Sequence, residues 1–294
     1  MRPEIRALKE AMGRDGYIAD DAIATAVFLA EDLGKPLLVE GDAGVGKTEI
    51  AKVIARLRGW ELIRLQCYEG LDVATAVYEW NYSRQMLRIR MAENEGRTAE
   101  EMEESVFSRS YLLERPLLRA LTQTEAPAVL LIDEIDRADE AFEAFLLEVL
   151  SDYQVTIPEL GTIRAEHIPR VVLTSNCTRE IGDALRRRCL YLYIEHPSLE
   201  KEVRILQTRV PGASEGLARE IARFVQGLRG QKLLRSPGVA ESIDWAQALT
   251  RLHRDHLDLE TVEATLGCVI KDRRDLRALD RAELGQMIED AKAS

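Results

Sequence analysis

The chain has 294 residues, enough for one large domain or two modest ones, and 46% of them are hydrophobic, enough for a buried core. Its formal net charge of −11 argues against a surface for duplex nucleic acid, whose affinity comes mostly from Lys and Arg neutralising phosphates. No apolar run approaches the length of a membrane span, and the opening MRPEIRALKE lacks the basic, apolar, small-residue order of a secretion signal, so a cytoplasmic protein is expected.

Residues 1–34 read as helix, loop, helix, with Asp20 and Asp21 placed to cap the helix that carries Ile23, Ala26, Val27 and Ala30. An apolar run at 37–39 then stops at a glycine-punctuated loop that leads into a helix-competent stretch, the whole reading PLLVEGDAGVGKTE. Gly41, four free positions, Gly46, Lys47 and Thr48 complete the phosphate-loop pattern. Glycines let successive backbone amides curl round phosphate oxygens with no Cβ in the way, and the following helix presents unpaired N-terminal amides to the same anion. Gly41, Asp42, Ala43, Gly44, Val45, Gly46, Lys47 and Thr48 are therefore the candidate nucleotide-binding residues. Lys47 would serve the outer phosphates and Thr48 would ligate Mg²⁺. Tyr17 and Ile18 suit an adenine pocket as well as they suit packing under a sheet.

The helix after the loop is expected to run to about Arg58, and residues 60–66 alternate like a strand ending on Gln66, a candidate phosphate sensor or a solvated strand end. Residues 71–116 are the least regular part. Tyr78, Trp80 and Tyr82 fall at period two, as in a short strand or hairpin arm, and residues 85–104 follow with mixed charge and then acid-rich sequence; an inserted surface element is the reading, with an aromatic edge exposed to a partner as the sharper alternative. Residues 128–134, AVLLIDE, form an apolar run that suits a strand buried on both faces and ends in two carboxylates. Beside a phosphate loop, Asp133 is suited to hold Mg²⁺ and Glu134 to polarise the attacking water.

Residues 154–164 have the composition of a hairpin. Residues 170–176 make another buried-strand run ending on Asn176, which in a doubly wound sheet lies at the ligand-binding end and is a candidate for orienting water. Three arginines, Arg186, Arg187 and Arg188, precede a strand at 190–194 and cannot all face one partner on a helix. From 197 onward apolar residues recur at helical spacing with no further strand, which marks a helical domain at 197–294 behind a core at 1–196. The four cysteines and four histidines are scattered, with no metal-type spacing, so free thiols are expected.

In sequence, the phosphate loop, the strand ending Asp-Glu, the hairpin, the strand ending Asn, the arginines and the helical tail resemble an AAA+ ATPase. The stretches GDAGVGKTE, LIRLQCYEGLD, VLLIDEIDRAD, FLLEVLSDYQVTIPELGTIRA, VVLTSN and DALRRRCLYLYI are similar to the MoxR group and its CoxD-like branch. The resemblance implies an α/β fold: a doubly wound parallel-sheet P-loop ATPase core with a smaller C-terminal helical lid. It further implies a homo-oligomer, usually a hexameric ring, binding ATP and Mg²⁺ between subunits. Asn176 would be its first sensor, Arg187 or Arg188 its arginine finger, and the hairpin would lie near the pore. Such proteins act as assembly chaperones with a partner carrying a von Willebrand factor A domain, and the CoxD-like ones mature a metalloenzyme client, a molybdenum-containing hydroxylase such as carbon monoxide dehydrogenase. A chelatase-type motor subunit and a nucleic-acid or restriction motor are the alternatives. The chain departs from the pattern at Ser236-Pro237-Gly238, where many AAA+ lids carry an arginine after the proline.

Overall fold

The computed structural model of the chain describes residues 2–93 and 106–293. In chain order, helices α1 (Pro3–Arg14) and α2 (Asp21–Leu33) lead to strand β1 (Leu37–Gly41), helix α3 (Lys47–Arg58) and strand β2 (Leu62–Gln66). A short α4 (Val73–Ala76), β3 (Tyr78–Trp80) and α5 (Tyr82–Glu93) follow. Beyond the gap come β4 (Leu112–Glu114), α6 (Pro116–Leu121), β5 (Val129–Asp133), α7 (Glu140–Asp152), the hairpin β6 (Gln154–Ile157) and β7 (Gly161–Arg164), β8 (Arg170–Ser175), α8 (Asp183–Arg188) and β9 (Leu190–Ile194). The remainder is helical among the described residues: α9 (Leu199–Arg209), α10 (Glu215–Arg229), α11 (Val239–Arg251), α12 (Leu259–Thr265), α13 (Arg273–Ala278) and α14 (Arg281–Lys292).

The chain forms two compact units. One comprises Ala22–Glu40 and Ile50–Leu192 and is organised by a five-stranded sheet of order β2-β5-β8-β1-β9. The registers are parallel between β2 and β5, β5 and β8, and β8 and β1. Every residue of β1 and β5 is buried, which is why both read as continuous apolar runs instead of alternating ones. The carboxyl ends of β5 and β1 flank that of β8, with Ile132 opposite Leu173 and Glu40 opposite Ser175. The core of this unit joins the sheet residues Leu38, Leu130, Ile132 and Leu173 to Leu117, Phe142, Leu146 and Leu185 from the helices.

The strand expected from residue 60 begins at Leu62, because the Trp60 amide is spent on the Ala55 carbonyl in closing α3. Tyr78 and Trp80 do lie in a strand, paired antiparallel with β4, but Tyr82 does not. The Asn81 side chain accepts from the Arg84 amide and caps α5, so the chain turns into a helix at that point. Nor is the aromatic edge open to a partner. Trp80 is buried, packed edge-on against Tyr78 and Phe107, and among the described residues the exposed apolar groups here are Tyr82, Met86, Leu87 and Met91 of α5 and Leu113 of β4. Of the expected insert at 85–104, Gln85 is buried and donates to the Val106 carbonyl, while residues 94–105 lie outside the described residues.

The second unit comprises Met1–Asp21, Gly41–Glu49 and Tyr193–Ser294. Its core is Leu206, Ile221, Phe224, Leu228, Trp245, Leu249, Leu257 and Ile288, with Phe224 against Trp245 and the Trp245 indole donating to Thr265. Ser198, Ser214, Asp258 and Asp280 cap α9, α10, α12 and α14 with their side chains, which explains why these helices begin where they do. Among the described residues no helix is long and apolar enough to cross a membrane.

Candidate functional site

The loop after β1 takes its shape from glycine. Gly41 has φ +150° and a Cβ there would run into the Ile194 carbonyl oxygen, while Gly44 at φ +77° sits in the left-handed region. Lys47 opens α3 and is buried, its ammonium donating to the carbonyls of Gly41 at 2.7 Å and Asp42 at 2.6 Å. Those contacts set a desolvated positive charge at a helix N-terminus, where backbone amides already favour an anion. A polyphosphate fits this donor set. Tyr17 is brought to the same loop, its ring edge 3.8 Å from where a Cβ on Gly46 would stand. Burial first, then Asp20 and Glu49, push its phenol above the usual range. Ile18 is half-buried. His196 Nε2 lies 3.2 Å from the Asp42 carboxylate, and desolvation and Arg229 hold its imidazole below the ordinary value.

In the sheet unit, Asp133 closes β5 almost wholly buried. Its Oδ1 accepts from the Thr174 hydroxyl at 2.5 Å, and its Oδ2 accepts from Arg64 Nη2 at 2.6 Å and Nε at 3.0 Å. Arg64 also reaches Gln66, so the strand-end Gln66 is tied to this group. Glu134 follows in a left-handed conformation, φ 57°, which swings its side chain out of the strand direction. Its amide donates to Thr174 Oγ1 at 3.0 Å, and its carboxylate lies 3.3 Å from Arg137. Thr174 therefore bridges the two acidic residues, donating to one side chain and accepting from the other's backbone. The Asp133 carboxylate is an oxygen donor of the hard type that Mg²⁺ takes.

Asn176 directly follows β8 and is half-buried. The segment behind it is pinned on both sides. Asp136 accepts from the Thr178 amide and hydroxyl, while Glu143 accepts from the Gly182 amide at 2.8 Å and pairs with Arg179. Of the three consecutive arginines, Arg186 is structural. It pairs with the buried Glu40 at 2.6 Å, its guanidinium stacks over the Tyr191 ring, and Tyr191 donates to the same carboxylate at 2.9 Å. Arg187 and Arg188 are exposed. In the lid, Lys232 and Arg235 are exposed too, and the Arg235 amide bonds Asp275.

Sequence reasoning missed Thr174, Arg64 and Glu40. A signal existed for Arg64. Paired residues of neighbouring parallel strands share a face, and side chains repeat at period two, so Arg64 and Gln66 stand on the face used by Asp133. Nothing local marked Glu40, whose partners come from 146 and 151 residues away.

A parallel sheet with a phosphate loop behind one strand and an acidic pair at the end of another defines a P-loop ATPase core of the AAA+ type. Residues 36–189, more than half of the chain, match the AAA domain of the dynein-related subfamily, and the chain belongs to that family as an ATP-hydrolysing enzyme. Among solved structures, the RuvB Holliday junction branch migration motor of Thermotoga maritima is similar at 18% identity, covering 88% of this chain and 70% of that one with a TM-score of 0.48. A mutant of the same motor reaches 0.50 at 17% identity, covering 96% and 76%. At this identity the likeness is one of fold. Among curated proteins none matches the chain.

Proposed function

We propose that this AAA+ ATPase is a MoxR-type remodelling motor that uses ATP binding and hydrolysis to help mature a metalloenzyme. The observation that carries the motor assignment is the buried Lys47 ammonium over a glycine loop at the start of α3. The run of MoxR-like and CoxD-like sequence stretches supports the finer assignment, with a molybdenum-containing hydroxylase as client and a von Willebrand factor A-domain protein as partner. In this reading residues 1–196 are the nucleotide-binding core and 197–294 the lid, and the loop residues 41–48 bind the triphosphate, with Tyr17 and Ile18 at the base. Thr48 and Asp133 would serve Mg²⁺, which when bound would supply charge neutralisation on the phosphates. Glu134 accepts the proton of the attacking water, Asn176 orients that water, and Thr174 keeps the Asp133 carboxylate and the Glu134 backbone in register. The subunits form a ring, hexameric in this reading, so that Arg187 or Arg188 meets a neighbour's nucleotide.

The first test is Glu134→Gln. Isothermal calorimetry should show Mg·ATP still bound, while steady-state turnover drops about a hundredfold or more, the worth of a positioned general base. Turnover at the wild-type rate removes Glu134 from the mechanism. The client assignment is tested separately by coexpression with a molybdenum hydroxylase and a von Willebrand-type protein. Wild-type chain should raise the yield of active hydroxylase and Glu134→Gln should not. An ATPase stimulated by duplex DNA, and not by the hydroxylase, would transfer the protein to the nucleic-acid motors.

A further inference from the structure

The lid touches the phosphate loop through backbone. The Gly44 carbonyl accepts from the amides of Val239 at 3.1 Å and Ala240 at 3.3 Å, the first two residues of α11. A loop carbonyl thus takes the place of a capping side chain for a 13-residue helix, whose N-terminal amides need an outside acceptor. The approach is possible because neither side has a Cβ. One placed on residue 238 would lie 2.6 Å from the Ala43 carbonyl oxygen and 2.8 Å from Gly44 Cα, and one placed on Gly44 would lie 3.1 Å from Gly238 Cα.

The turn that presents Gly238 has little room to yield. Arg229 Nε donates to the Pro237 carbonyl at 2.8 Å, and Arg229 is itself held by two bonds, 2.6 and 2.8 Å, to the fully buried Glu202. Ser242 donates to Glu202 at 2.7 Å, and Glu241 accepts from the Gly238 amide at 3.0 Å. On the other side, the Gly44–Val45 peptide is trans, so with its oxygen turned to α11 its N–H, that of Val45, points the opposite way, away from the lid helix. The lid contact therefore sets the orientation of one of the amides that the loop would offer to phosphate.

We propose that Gly238 is a positioning residue for the phosphate loop: by seating α11 on the Gly44 carbonyl with no side chain between, it fixes the loop's amides and ties nucleotide affinity to the docked lid. The proposal rests on the loop being the nucleotide site. It excludes an arginine at 238 on steric grounds, since any side chain there displaces the loop. Coupling of this kind is reciprocal: a nucleotide that holds the loop also holds the lid.

The test compares the full-length wild type with Gly238→Ala, Glu241→Ala and the control Gly285→Ala, whose Cβ would meet nothing within 4 Å. Two readouts apply: calorimetric affinity for Mg·ADP, and hydrogen exchange of the 238–241 backbone with and without nucleotide. Gly238→Ala should bind about tenfold more weakly, the loss of one or two net hydrogen bonds. Its Val239 and Ala240 amides should exchange faster, and nucleotide should no longer slow them as it does in the wild type. Glu241→Ala adds no atoms and should shift both readouts the same way by less, so a misfolded Gly238→Ala still leaves a test, and Gly285→Ala should match wild type. If wild type binds Mg·ADP and both lid variants bind it equally well, or nucleotide still protects 238–241 in them, the positioning role is overturned. A wild type that binds no nucleotide overturns the underlying site instead.

Discussion

Asp133 is a carboxylate with almost no access to water, and burial of that kind is tolerable only when every lone pair has a use. Thr174 and Arg64 provide two of those uses from strands on either side of β5. The same acidic surroundings act on Cys67, one residue beyond β2. Burial first, then Asp133, Asp136 and Glu134, push its thiol up to about 12, and burial alone brings Cys189 to about 12. A thiol raised so far is protonated through the whole neutral range, and the thiolate is the nucleophile. Iodoacetamide at pH 8 should therefore alkylate the exposed Cys177 first in the native protein, with Cys67 and Cys189 modified only on unfolding. Mass spectrometry of a time course checks the order. Raising the pH from 8 to 10 should leave the native rates at Cys67 and Cys189 far below those of unfolded chains, whose thiols ionise near 8.5. Early labelling of Cys67 would show that the strand ends open to solvent.

At the scale of elements, the lid depends on one buried ion pair. Glu202 of α9 is fully enclosed and Arg229, the last residue of α10, is nearly so; together with Ser242 of α11 they join three helices. Removing one member of a buried pair leaves the other charged and unpartnered, at a cost of about 3–5 kcal/mol. Arg229→Ala should lower lid stability by that order in a denaturant titration and release the Pro237 carbonyl as well. A change below about 1 kcal/mol would mean the pair contributes little beyond its own desolvation. Replacing Glu202 and Arg229 together by apolar residues should restore most of the loss, because no orphaned charge remains. The outer strand β9 is tied similarly, by Arg186 and Tyr191 to Glu40 of β1, and that attachment removes Arg186 from candidacy as a finger while leaving Arg187 and Arg188 exposed.

For the whole molecule, the proposed ring is the arrangement in which Arg187 or Arg188 would reach a neighbouring subunit's nucleotide. Arginines supplied to a neighbour's nucleotide are typically worth 10³-fold or more in phosphoryl transfer. Changing Arg187 and Arg188 together to Ala should therefore reduce ATP turnover of the assembled protein by about 10³-fold, with unaltered Mg·ADP affinity of the isolated subunit. Normal turnover of assembled double variant would assign the finger elsewhere. The acidic balance of the chain remains an argument against duplex DNA as the substrate of such a ring, although a RuvB motor shares its fold.

Where local chemistry suffices, the order of residues determined the outcome by itself. The strands β1, β5 and β8 are legible as apolar runs because both faces of a parallel sheet are covered, and the phosphate loop because its backbone tolerates only glycine at set positions. Boundaries at Trp60 and Tyr82 were not legible, since a helix closure and a side-chain cap outcompeted a period-two pattern. Only tertiary structure decided what Asp133, Glu40 and Gly238 touch, because their partners lie dozens to hundreds of residues away in the chain. Pairing over such distances is set by strand register and by which backbones pack closely enough to exclude a Cβ, and neither quantity is written in any local stretch of sequence.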